Sequence, residues 1–112
     1  MNQAGYERGL ELFDAGDFFD AHEVLEDVWR AAPAEEKRFL QGLIQLAVGL
    51  HHHSRGNLAG ARSLLARGNR NLSGYPEGHG GINLPRLRSR VAEWVRALED
   101  NGPTPAAPRL RG

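Results

Sequence analysis

Residues 9–25 read GLELFDAGDFFDAHEVL, and forty positions later residues 49–65 read GLHHHSRGNLAGARSLL. Laid on one another, the two stretches share Gly9 with Gly49, Leu10 with Leu50, Gly16 with Gly56, Ala21 with Ala61 and Leu25 with Leu65. Apolar residues recur at helical spacing on both sides of the central glycine, which marks the end of one helix at a residue free to take positive φ. The alanine five residues further on is small enough to let the second helix of each pair lie close to the first. Two helical hairpins of one design are predicted.

The unit resembles the helix-turn-helix of tetratricopeptide repeats, although an offset of forty exceeds the usual ~34 residues. Duplication and convergence on a common helix-pair solution both account for two copies. Around them the sequence predicts helices near residues 3–14, 18–31 and 34–55, a fourth capped by Asn57 and running to about Leu72, and a fifth opened by Asn83 and Pro85. Leu84, Leu87, Val91, Trp94, Val95 and Leu98 form the apolar stripe of the fifth. No strand is expected. The fold class is all-α, a single compact domain over 1–100 of two tetratricopeptide-like hairpins plus a C-terminal helix. The proline-rich residues 101–112 are expected to be a disordered tail.

Composition narrows the function classes. The chain has 112 residues, 40% apolar and 25% charged, with no cysteine. That excludes thiolate metal sites and cysteine nucleophiles, so a metal would need His, Asp or Glu. No apolar run is long enough for a spanning helix and no signal peptide is evident, so a cytoplasmic protein without a membrane role is expected. Residues 1–37 carry ten acids and three bases, and residues 38–112 carry four acids and eleven bases, giving halves of −7 and +7. The halves are expected to neutralise one another across the fold. Thirteen of the fourteen bases are arginine; solvated arginines are favoured over a phosphate-binding face, so nucleic acid is not an expected partner.

Helical phase then selects candidate residues. On the second helix His22 and Glu26 share a ridge at the border of the apolar arc, with Glu23 further round. On the third, His51 falls inside the arc, Gln41, Gln45 and His52 lie at its edge, and His53 points to solvent. Of the three consecutive histidines only His51 is expected to be buried, its ring nitrogens needing partners from the second helix. Trp29 and Trp94 read as core, and His79, among glycines, as exposed and inert. The HEVLE segment matches the zincin H-E-x-x-H only in part, because Glu26 stands where the second histidine belongs.

Taken together, DFFDAHEVLEDVWR (17–30), FLQGLIQLAVGLHH (39–52) and GNLAGARSLL (56–65) resemble the bacterial and archaeal family known as domain of unknown function 309, over roughly residues 6–72. The resemblance implies a compact helical domain and the family label of a metal-dependent hydrolase. Its motif positions fall on His22, Glu23, Glu26, Trp29, Gln41, Gln45 and His51.

Two functions are therefore expected. The first is a module binding a small ligand or a protein through Glu26, Trp29, Gln41 and Gln45. The alternative is a hydrolase in which His22, Glu26 and His51 hold zinc, manganese or iron and Glu23 acts as general base. A homodimer is compatible with the apolar third helix.

Overall fold

Glycine sets both hairpin turns. In the computed structural model, which describes residues 2–111, Gly16 and Gly56 lie at φ +85° and +81°. The amide of Asp17 donates to the Leu12 carbonyl and that of Gly16 to Phe13, while Asn57 donates to His52 and Gly56 to His53. These are matching Schellman closures forty residues apart. Each turn joins two helices: α1 (Gln3–Asp14) to α2 (Phe18–Arg30), and α3 (Ala34–Ser54) to α4 (Leu58–Leu72). The hairpins also close on the same pair of positions. A Cβ on Gly9 would lie 2.5 Å from Leu25 Cδ2, and one on Gly49 would lie 3.1 Å from Leu65 Cγ. The repeat read in the sequence is thus a structural repeat.

Caps fix the other boundaries. Asn57 Oδ1 accepts from the Gly60 amide, and Asn83 Oδ1 accepts from Arg86 at the start of α5 (Leu84–Glu99). Between α4 and α5 the glycine-rich loop contains a short 3-10 turn, His79–Gly81. Each helix packs against its successor in chain order, with α3 central. The apolar faces of Phe13, Leu25, Phe39, Leu43, Leu46 and Leu65 make one core. Each such side chain contributes roughly 1.5–3 kcal/mol when fully buried. The radius of gyration is 12.9 Å, close to the ~13 Å of a compact chain of about this length. No described helix is long and apolar enough to cross a membrane.

Residues 101–111, expected from composition to be a disordered tail, make specific contacts with α1 and α5 in the described structure. Asn101, at φ 53°, turns the chain off α5, and Ala106 O accepts from Trp94 Nε1 and from Arg90. Leu110 is buried, and both Asp14 carboxylate oxygens accept from the amides of Leu110 and Arg111 at 2.7 and 2.9 Å. Prolines that keep a segment from becoming helix also reduce the entropy it loses when held extended, and composition alone does not distinguish these effects. Gly112 lies outside the described residues.

The expected neutralisation between halves is also largely absent. Among the described residues only His79–Glu36 and Arg111–Glu7 join them, and the other ion pairs are local, three or four residues apart along a helix. Opposite charges at helical spacing satisfy one another before tertiary packing brings distant ones together.

Candidate functional site

The connection Ala31–Pro33 between the hairpins is short, so α2 and α3 run antiparallel. Lys37 fastens one end: its Nζ donates to the Trp29 carbonyl at 2.6 Å and to Arg30 O, satisfying the last turn of α2. The same ammonium stands 4.2 Å from the centre of the Trp29 ring. At the other end Phe19 of α2 meets His51 of α3, ring centres 5.3 Å apart.

Between these ends lies a cleft of about 290 Å³ lined by Glu26, Trp29 and Arg30 from α2 and by Gln41, Ile44 and Gln45 from α3. Glu26, Trp29, Gln41 and Gln45, selected in the sequence, therefore share one surface. Arg30 and Ile44 were missed, although both stand at helical spacing from selected residues, four after Glu26 and three after Gln41. Arg30 approaches Glu26 at 3.5 Å and also pairs with Asp27.

Trp29 is partly buried and packs against the core, and its Nε1–H is buried with no acceptor among the described residues. Trp94, by contrast, is buried and its indole is satisfied by Ala106 O. Gln45 is held by its neighbours. Its Oε1 accepts from Asn71 Nδ2 at 2.7 Å, and Asn71 Oδ1 accepts in turn from Arg38 Nε at 3.2 Å.

The histidines occupy the Phe19 end. His22 Nδ1 donates to the Phe19 carbonyl at 2.7 Å, which turns Nε2 toward Glu26 Oε1 at 3.6 Å. Phe19, half exposed, packs on both His22 and His51. The two imidazoles thus share a face, but through an aromatic ring. Among the described residues no three His, Asp or Glu side chains converge to hold a metal. Glu23, the expected base, is exposed and has no ion pair among the described residues.

The histidine run also differs from its helical-wheel reading. His51, His52 and His53 are all partly buried, and His53 packs edge-on against Trp94 of α5 at 4.9 Å. A single-helix wheel does not register a fifth helix arriving over the end of α3.

His79 belongs to a second cluster that sequence reasoning missed. Its Nε2 lies 2.9 Å from Glu36 Oε2, and its ring meets Phe39 and Tyr75. Tyr75 Oη donates to Glu35 O and accepts from the Phe39 amide, bridging a pair of groups in the α3 ladder. Tyr6 Oη donates to Gly80 O at 2.7 Å; burial, reinforced by Glu36, pushes that hydroxyl well above the usual tyrosine range. These groups satisfy one another and tie the loop to α1 and α3.

Comparison with known proteins gives a family without an activity. The profile described as "Domain of unknown function (DUF309)" matches residues 6–64. An uncharacterized protein, YpuF, of Bacillus subtilis (strain 168) is 47% identical over 58 residues, covering 51% of this chain and 33% of the relative. An uncharacterized protein of Aquifex aeolicus (strain VF5) is 33% identical over 92 residues, 81% of this chain and 28% of the relative. The chain spans a third or less of the length of these curated relatives.

Proposed function

The chain belongs to the domain of unknown function 309 family, and within it we propose a binding module whose working surface is the cleft between α2 and α3. One observation carries this reading: Glu26, Trp29, Gln41 and Gln45 come from two hairpins yet line the same opening. A cleft of this volume is at the lower end of small-molecule sites, and its mixture of an aromatic wall with a few polar groups is the usual composition of such sites.

The test uses Gln41→Trp, which places a bulky ring at an exposed position on the cleft lip. Small-molecule fragments are screened by ligand-observed NMR against the native chain and this variant, with circular dichroism confirming equal helicity. Fragments that bind the native chain are expected to lose contact in the variant. If every fragment that binds does so equally to both, or none binds, the cleft is not a binding site.

A further inference from the structure

Resting on the reading of this cleft as a binding site, we infer that its ligand presents a carboxylate on a small apolar body. The inference comes from the direction of the hydrogen bonds behind the wall. Arg38 has only donors, so the Asn71 atom it faces is the oxygen, Oδ1. Asn71 Nδ2 then faces Gln45, whose Oε1 is occupied as its acceptor. The group Gln45 retains for a ligand is therefore its Nε2 amide, a donor. A fixed charge behind the wall thus sets the polarity of a neutral side chain within it.

The other polar groups agree. Trp29 lines the same opening, and its indole N–H, buried and without an acceptor among the described residues, is a donor that an acceptor entering beside the ring would satisfy. Arg30 adds the N–H groups it does not give to Glu26 and Asp27, and Lys37, although not part of the lining, holds its ammonium 4.2 Å from the centre of the Trp29 ring. Glu26 is the opposing group, but it is engaged by Arg30 at 3.5 Å and faced by His22 at 3.6 Å. Ile44 and the indole face supply the apolar floor. Donors that outnumber free acceptors select a ligand rich in acceptors, and a carboxylate makes the stronger, charge-assisted bonds.

Two tryptophans in the chain give a direct readout. In ¹⁵N-labelled protein the Trp29 and Trp94 indole N–H signals are titrated with phenylacetate, a free acid, with N-acetylphenylalanine, a peptide-terminus mimic, and with phenethylamine. The acids are expected to shift Trp29 while Trp94, already bonded to Ala106 O, stays in place, and the tighter acid identifies the source of the carboxylate. Asn71→Asp offers Gln45 an acceptor instead of a donor, so its amide turns and presents Oε1. Affinity for the acids should fall at least about tenfold, the loss of one good hydrogen bond, and phenethylamine should gain binding.

Gln45→Met keeps the bulk, removes the donor and should lose the acids as well, so the question stands even if the aspartate variant folds poorly. Phenethylamine shifting Trp29 in the native chain while the acids do not would overturn the carboxylate and leave the binding site standing. Undiminished acid binding in both variants would overturn the relay. No response of Trp29 to any of the three probes would remove the carboxylate and the small-ligand site together.

Discussion

Gly42 and Gly68 bring α3 and α4 together backbone against backbone: a Cβ on Gly68 would stand 2.8 Å from the Gly42 carbonyl oxygen. The obstacle is main chain, so relief requires one helix to move.

Gly68→Ala therefore sets two effects against each other. Alanine gains up to about 1 kcal/mol of helix propensity. Overpacking a seam that cannot yield locally costs about 1–3 kcal/mol. Urea denaturation should show a net loss on the order of 1 kcal/mol. Gly74, in the turn after α4 with nothing within 4 Å of its added Cβ and no positive φ, is the unobstructed control, and Gly74→Ala should be neutral or slightly stabilising. Equal destabilisation by the two would refute the close approach of α3 to α4.

His53→Ala should destabilise, contrary to the solvent-facing position that a helical wheel assigns it. Its edge-on contact with Trp94 is of a kind that contributes about 0.5–1.5 kcal/mol. The measurement is a double-mutant cycle with Trp94→Leu. A coupling energy near zero would show that the contact contributes nothing.

The helices were legible because their punctuation is local: Gly16, Pro33, Gly56, Asn57 and Asn83 mark ends by their own backbone preferences. That Glu26, Trp29, Gln41 and Gln45 line one opening was legible as well, since residues on two adjacent helix faces are placed by periodicity alone. What escaped depends on partners far along the chain. His79 meets Glu36, 43 residues away, and Leu110 reaches Asp14, 96 residues away. Periodicity carries no information about contacts at such separations, and composition names no partner for the tail.

Asp14→Ala tests how the tail is held. Removing the carboxylate leaves the Leu110 and Arg111 amides without their acceptor, and stability should fall by about 1–3 kcal/mol. Hydrogen exchange at those two amides should accelerate well beyond the change in α3. Unchanged exchange would show that Asp14 does not secure the segment.

Tyr6→Phe should change how stability depends on pH. The fold favours the neutral phenol, because burial raises its proton affinity. Its contribution is therefore complete below the ordinary tyrosine value near 10 and is lost as pH rises from there toward the raised value, by at most about 1.4 kcal/mol per pH unit. Stability curves from pH 8 to 11 should fall more steeply for the native chain than for the variant. The variant should also be weaker at neutral pH by about 1 kcal/mol, having lost the bond to Gly80 O. Parallel curves would show that Tyr6 does not titrate differently in the fold.

The cleft belongs to neither hairpin: α2 supplies one wall, α3 the other, and residues 31–33 join them. Its width is therefore governed by how two hairpins of one design lean on each other, and a small pivot at Pro33 would spread or narrow it while leaving each unit intact. Anything gripping both walls would clamp that joint, so occupancy would register as stiffening of the whole protein as well as a local change.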